Sequence, residues 1–301
     1  MSHEMYEEIK MVPVITPKWR AYYDITKPRV VALLVLTAVV GMSLSVHGGL
    51  PWQLFIPAML GIALLSSAAA AINHIVDEKI DAIMGRTHNR PLPEGRITPD
   101  AAIVFASCLA IVGFIMLYVL VNPLTAYLTL AGLVGYSFVY TMYLKRATPQ
   151  NITSGGLAGA IPPLLGGTAM TNEVRPNALL LVLVIFTWTP PHFWALALYR
   201  KTEYASIGMP MLPVTHGDKF TRLHVLLYTV ILWIVTIMPY ITQMSGLIYL
   251  AGSTVLNAVF MYYAVMIYRN YSDDLAKKAF RYSILYLALL FVALLVDHYF
   301  Y

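Results

Sequence analysis

The sequence predicts an all-α integral membrane protein, with nine transmembrane helices in a bundle and a cytoplasmic N-terminus. Three observations carry that expectation. The chain is 59% hydrophobic and 12% charged, whereas a soluble domain carries about 25% charged residues. Apolar runs recur at about the 20-residue length that crosses a bilayer. The basic residues fall almost wholly in alternate connecting segments, the distribution that marks the cytoplasmic side.

Residues 1–27 are polar and mixed in charge, with Glu4, Glu7 and Glu8 early on. They lack the basic start, short apolar core and small-residue cleavage site of a signal peptide. They read as an uncleaved cytoplasmic segment, as in a bacterium, and residues 28–301 read as one transmembrane domain. The predicted spans run over 30–46, 54–75, 102–121, 124–144, 152–170, 178–199, 224–244, 247–268 and 280–297. Pro and Gly inside several of them are compatible with helix, because neighbouring helices satisfy the freed backbone groups. Small residues at 66–71 and 155–160 allow close helix contact. The single cysteine, Cys108, excludes an intramolecular disulfide and a cysteine metal cluster; in its apolar run it reads as a small buried hydrophobe.

With the N-terminus inside, every Lys and Arg except Arg175 lies in an inner segment. The +5 net charge is thereby an orientation signal. It calls for a lipid bilayer as partner and for no nucleic acid.

The first candidate site ends the second span, in Asn73-His74-Ile75-Val76-Asp77-Glu78-Lys79-Ile80-Asp81. Asn73, Asp77 and Asp81 recur at i, i+4 and i+8, which places them on one helix face, neighbours about 6 Å apart. Such oxygen ligands suit Mg²⁺, which keeps several waters and binds through one or two carboxylates plus substrate phosphates. Two carboxylates make half of a magnesium site, and a diphosphate would supply the rest. Arg86, His88 and Arg90 follow before Pro91 and Pro93, and guanidinium forks match phosphate geometry. The bland alternative is a solvated interfacial loop, since acidic pairs at this spacing are common on helices.

A second segment follows the sixth span: Tyr199-Arg200-Lys201-Thr202-Glu203-Tyr204, then Gly208-Met209-Pro210-Met211-Leu212-Pro213. The two cations Arg200 and Lys201, the carboxylate Glu203 and the tyrosine Tyr204 could hold the other side of a diphosphate. The Gly/Pro-rich remainder reads as a rigid turn, either a lid or an ordinary loop. A third segment, Trp188-Thr189-Pro190-Pro191-His192-Phe193-Trp194, lies inside the sixth span. Consecutive prolines break helical hydrogen bonding, and an ionisable side chain inside a span is a functional-site hypothesis by default. His192 could ligate a haem iron, donate to a propionate or act as an acid or base; the bland reading is an interior histidine bonded to a freed carbonyl. Tyr136, Tyr140 and Tyr143 form either a stripe facing a cavity or interior packing.

The run Asn73-x-x-x-Asp77-x-x-x-Asp81, with Arg86 and Arg90-Pro91-Leu92-Pro93 behind it, resembles the first motif of the UbiA-type membrane prenyltransferases. Residues 188–197 and the segment Lys201-x-Glu203-Tyr204-x-x-x-Gly208-Met209-Pro210-Met211-Leu212-Pro213 are similar to the haem-farnesylating branch of that family. The resemblance extends from Asp24 to the C-terminus. It implies a central cavity open to the cytoplasmic side of the inner membrane and a requirement for Mg²⁺. Asn73, Asp77 and Asp81 would be the metal and catalytic set, Arg86 and Arg90 would assist with the diphosphate, and His192 would contact haem. The implied substrates are farnesyl diphosphate and haem B. They are joined at the 2-vinyl group with addition of water to give haem O and diphosphate, for hand-over to haem A synthase or a terminal oxidase. The wider family carries a second Asp-rich motif where this chain has Lys201 and Glu203. Two other readings compete. A 4-hydroxybenzoate-type polyprenyltransferase should have that second pair of aspartates; a transporter or haem-binding membrane protein should carry its polar groups at the midplane in broken helices.

Overall fold

The computed structural model describes residues 18–46, 48–85 and 87–300, and these are helical almost throughout. The chain runs through α1 (Lys18–Ile25), α2 (Pro28–Ser43), α3 (Trp52–Asp81), α4 (Pro99–Leu120) and α5 (Pro123–Val134). A π-helical segment, Gly135–Leu144, leads into the single turn α6 (Lys145–Ala147). Then come α7 (Asn151–Ala160), α8 (Pro162–Thr171), α9 (Pro176–Tyr199), α10 (Lys201–Ser206) and α11 (Leu212–Thr215). Three long helices close the chain: α12 (Gly217–Ile241), α13 (Leu247–Arg269) and α14 (Asp273–Phe300).

Local sequence fixes many of the helix starts. Proline occupies the first turn of α2, α4, α5, α8 and α9, where its missing N–H has no helical partner to lose. Thr98 and Asn122 cap α4 and α5 by accepting the backbone N–H of Ala101 and Thr125. Lys27 joins α1 to α2 in the left-handed region at φ 51°, and the two helices meet at a 47° bend.

Among the described residues, seven helices are long and apolar enough to cross a membrane, and the α1–α2 pair makes an eighth. The expected span at 152–170 is divided into α7 and α8, which meet at Pro162 and Pro163; neither proline can donate to the preceding turn. Residues 18–27 of the expected polar N-terminal segment are structured, as α1 and its joint, whereas residues 1–17 lie outside the described set.

Neighbouring helices close into a ring, in which α2 packs on α3 and α8, α9 on α7 and α12, and α14 on α13, α9 and back on α2. At the α2–α8 crossing a Cβ on Gly166 would fall inside contact distance of the Ala38 carbonyl, so only glycine permits this approach. The periphery is apolar: Ile103, Val104, Ile111 and Val119 of α4 and Val255, Val259 and Tyr262 of α13 are exposed. Cys108 is exposed on the same side of α4, which corrects its reading as a buried residue. In a membrane span an apolar neighbourhood does not separate lipid-facing from protein-facing positions.

Several polar groups inside the bundle pair across helices. Asn257 donates to Thr236, Tyr286 donates to Asn257, and Tyr249 donates to the Thr236 carbonyl, tying α12, α13 and α14 together. Asp297, 1% exposed, accepts the N–H groups of Gly246 and Tyr249 at the start of α13. An anion there offsets the positive end of the helix dipole.

Candidate active site

The helical period of α3 brings Asn73, His74, Asp77 and Asp81 to one inward face, each no more than 5% exposed. Asn73 donates to Asp77 Oδ2 at 3.0 Å and reaches Thr141 of the π-helical segment. Around this row the fold collects cations from three other places. Lys27, at the α1–α2 joint, donates to the side-chain oxygen Oδ1 of Asn73. Lys145, at the end of the π-helical segment, meets Asp77 Oδ2 at 2.5 Å, and Arg146 lies 3.8 Å from Oδ1. Arg90, in the loop after α3, pairs with Asp81. Four cations thus surround two carboxylates, and the mouth has surplus positive charge.

Arg90, expected to assist with a diphosphate, pairs here with Asp81, while Arg86 lies outside the described residues. Lys27, Lys145 and Arg146 were missed. Their signals were present: Lys27 directly precedes Pro28, and Lys145 and Arg146 directly follow the fourth predicted span.

The donor set fits half a magnesium site. No three His, Cys, Asp or Glu side chains among the described residues converge as a complete metal cage. Asp77 Oδ1 is buried without a hydrogen-bond partner, as are both ring nitrogens of His74. Buried polar atoms left unpaired are uncommon, and these lie on the helix face that carries Asn73 and Asp81. Asn73, Asp77 and Asp81 are the oxygen donors available to a metal.

The π-helical turn brings Lys145 to this site. Residues Gly135–Leu144 wind as π-helix, a wider turn of the kind that clusters at functional sites, and the Thr141 hydroxyl donates to the Tyr136 carbonyl five residues back. Tyr136 and Tyr140 stack at 5.6 Å, whereas Tyr143 is 69% exposed. The expected three-tyrosine stripe is therefore a pair. Tyr140 and Leu144 also line a groove of about 710 Å³ between α5, the π-helical segment, α7 and α8, with Phe186 at its wall.

The second segment forms its own ion pairs. Lys201 meets Asp218 of α12 at 2.9 Å, and Glu203 meets Arg200 at 2.8 Å. The Glu203 hydrogen bond is the largest influence holding the Arg200 guanidinium above its usual range. Tyr204 is buried with Met84, Met209 and Met211, so this loop packs against the end of the α3 region. Asp218 is an acid that sequence reasoning did not weigh.

His192 lies in α9, which continues through Pro190 and Pro191. Its ring is stacked between Trp188 at 4.2 Å and Phe280 at 4.6 Å, and Nδ1 meets Ser283 Oγ at 2.6 Å. The partner is a hydroxyl of α14 rather than a freed α9 carbonyl.

Similarity to known proteins covers nearly the whole chain. The curated proteins most like it include a protoheme IX farnesyltransferase of Colwellia psychrerythraea, 70% identical over 95% of this chain and 93% of that protein. One of Nitrosospira multiformis is 64% identical over 92% of this chain and 93% of that protein. Among solved structures, a digeranylgeranylglyceryl phosphate synthase superposes with a TM-score of 0.79 at 18% identity, covering 93% of this chain and 98% of that one. A UbiA homologue from Archaeoglobus fulgidus bound to GPP and Mg²⁺ has a TM-score of 0.64 at 16% identity, covering 91% and 99%. These two share the fold. Residues 34–295 match the UbiA prenyltransferase family, and the chain belongs to that family.

Proposed function

We propose that this protein transfers the farnesyl group of farnesyl diphosphate to the 2-vinyl group of haem B, with addition of water, giving haem O and diphosphate. The observation that carries the reading is the acidic row of α3 set among Lys27, Arg90, Lys145 and Arg146. Farnesyl transfer to haem in particular is supported by relatives of 58–70% identity named for it.

Asn73, Asp77 and Asp81 would hold Mg²⁺, whose chemistry here is to neutralise charge growing on the departing diphosphate. Without substrate the cations neutralise the carboxylates directly. With a metal held by Asp77 and Asp81, Lys145, Arg90 and Lys27 would be free to bind diphosphate oxygens, a task in which Arg86 would assist. Positive groups fixed where negative charge develops lower the barrier to ionisation. The allylic C–O bond breaks with its electron pair leaving on the diphosphate. The vinyl π electrons form the new C–C bond, water captures the resulting cation, and a proton is released. Lys201, Glu203 and Tyr204 border the mouth from the second loop, and His192 contacts haem. The groove beside Tyr140 and Leu144 takes the isoprenoid chain and keeps it from water.

Orientation follows from the basic residues. The mouth is cytoplasmic in the inner membrane, the segment 1–27 is cytoplasmic, and residues 28–301 form the transmembrane domain. Nine spans result when α7 and α8 count as one, and the product passes to haem A synthase or a terminal oxidase.

The test is incubation of purified protein with haem B, farnesyl diphosphate and Mg²⁺, followed by mass analysis of the haem. Chelation should abolish the product and Mg²⁺ restore it. Unmodified haem, or prenylation of 4-hydroxybenzoate instead, would refute the assignment.

A further inference from the structure

Beyond the acidic row, one column of rings connects the membrane interior to the inner surface. Trp188 stacks on His192, His192 stacks on Phe280 of α14, and Phe280 meets the edge of Tyr199 at 6.4 Å. At its foot two cations from different helices converge on one ring. Arg200 Cζ lies 5.7 Å and Lys277 Nζ 5.9 Å from the Tyr199 centroid. We infer that Arg200 and Lys277 form a carboxylate-binding pair for the acid groups of the flat acceptor, separate from the diphosphate site. The inference rests on the haem-farnesylating reading and deepens it.

Three features favour an acid ligand. Each cation's ion-pair partner is an acid three residues away in sequence, Glu203 for Arg200 and Asp274 for Lys277, so both retain donors. Arg200 Nε is buried and has no hydrogen-bond partner. The cations of the diphosphate mouth are engaged elsewhere, on Asn73, Asp77 and Asp81. An arginine fork suits a carboxylate, and a lysine adds a mobile point charge.

The spacing suits a molecule with an apolar disc and acids on one edge. From His192 to Tyr199, the last residue of α9, is a rise of about 10 Å, and Arg200 follows as the residue that ends the helix. A porphyrin edge at the foot of the column would meet the partly exposed Tyr199 while its acids meet the two cations. Separate cationic sites would also keep those acids from competing with the diphosphate for the metal.

The test compares haem B with its dimethyl ester, by absorbance titration of the full chain in neutral detergent. The wild type should bind the diacid about tenfold more tightly, the value of roughly one charge-assisted hydrogen bond. The Arg200→Gln/Lys277→Gln variant should bind both forms alike while still binding farnesyl diphosphate. A preference that survives in the variant overturns the assignment. So does a wild-type preference abolished by phosphatidylglycerol in the micelles, since the pair would then be a lipid headgroup site. Should the double variant lose diphosphate binding, Lys277→Gln alone, on a half-exposed side chain, decides by the same ratio. Failure of the wild type to bind either form would instead remove haem as the acceptor.

Discussion

The ammonium of Lys145 lies 2.5 Å from Oδ2 of Asp77, across a gap of 68 residues in sequence. The carboxylate is 4% exposed and the lysine 19%, so little water screens them. This contact joins the acidic row of α3 to the π-helical segment, and it is the relationship on which the proposed ionisation of the diphosphate most depends.

Asp77→Asn keeps the shape and the bond to Asn73 but removes the charge a metal needs. We predict a loss of turnover of at least about 100-fold, as expected when a group stabilising transition-state charge is lost. The protein should still insert and melt near the wild-type temperature. Normal activity in that variant would take Asp77 out of the mechanism.

Lys145→Met should act on the diphosphate substrate alone. Removing one charge-assisted hydrogen bond costs about 1.5–3 kcal/mol, or roughly 10- to 100-fold in kcat/KM for farnesyl diphosphate. Saturation with haem should be unchanged. Two residues in one network do not act independently, so the double variant with Asp77→Asn should be little worse than Asp77→Asn. Strict additivity would show that the two act at different places.

The sequence made the acidic row legible because its geometry is local: on one helix, spacings of four residues fix a face whatever packs against it. The partners of that row were not legible, since Lys27 and Lys145 arrive from 46 and 68 residues away. Nor was the turn of π-helix that leaves Tyr143 facing outward while Tyr136 and Tyr140 stack. The prolines at 162 and 163 could be read as compatible with one long helix or two shorter ones, and packing of α8 against α2 accompanies the second. Cys108 exposes the same limit, because hydropathy reports burial from water and is silent on whether lipid or protein provides it.

Gly166 offers a packing test at that α2–α8 crossing. Any side chain meets the Ala38 carbonyl, a backbone atom that cannot rotate away. Overpacking typically costs about 1–3 kcal/mol, and Gly166→Val should sit at the upper end, seen as a lowered melting temperature in detergent. Gly132, whose added Cβ would meet nothing within 4 Å, is the control, and Gly132→Ala should melt with the wild type. Equal melting of Gly166→Val and wild type would mean that the two helices do not approach this closely.

Asp297 tests the far end of the bundle. It accepts two backbone N–H groups at 2.5 and 3.0 Å while 1% exposed. Asp297→Ala leaves both donors buried and the start of α13 without its counter-charge. At about 1–3 kcal/mol for each buried group left unsatisfied, a loss of about 2–4 kcal/mol is expected in denaturant titrations. Activity per folded molecule should be retained, because Asp297 takes no part in the site at the inner end of α3. A variant with full stability but reduced haem turnover would reverse that assignment.

Ser283 holds the remaining test, because it fixes the ring proposed to meet haem. Its hydroxyl meets His192 Nδ1 at 2.6 Å, while its carbonyl accepts the Trp188 indole N–H at 2.9 Å. Ser283→Ala removes the first bond and leaves the second intact. The imidazole would stay clamped between Trp188 and Phe280 but lose control of which nitrogen carries the proton. If His192 serves haem through its other nitrogen, haem affinity should fall by about 3- to 10-fold, with farnesyl diphosphate affinity unchanged. Ser283→Thr retains a hydroxyl and should restore most of the loss. A variant in which both affinities fall together, or neither does, would make His192 a packing residue of the α9–α14 contact.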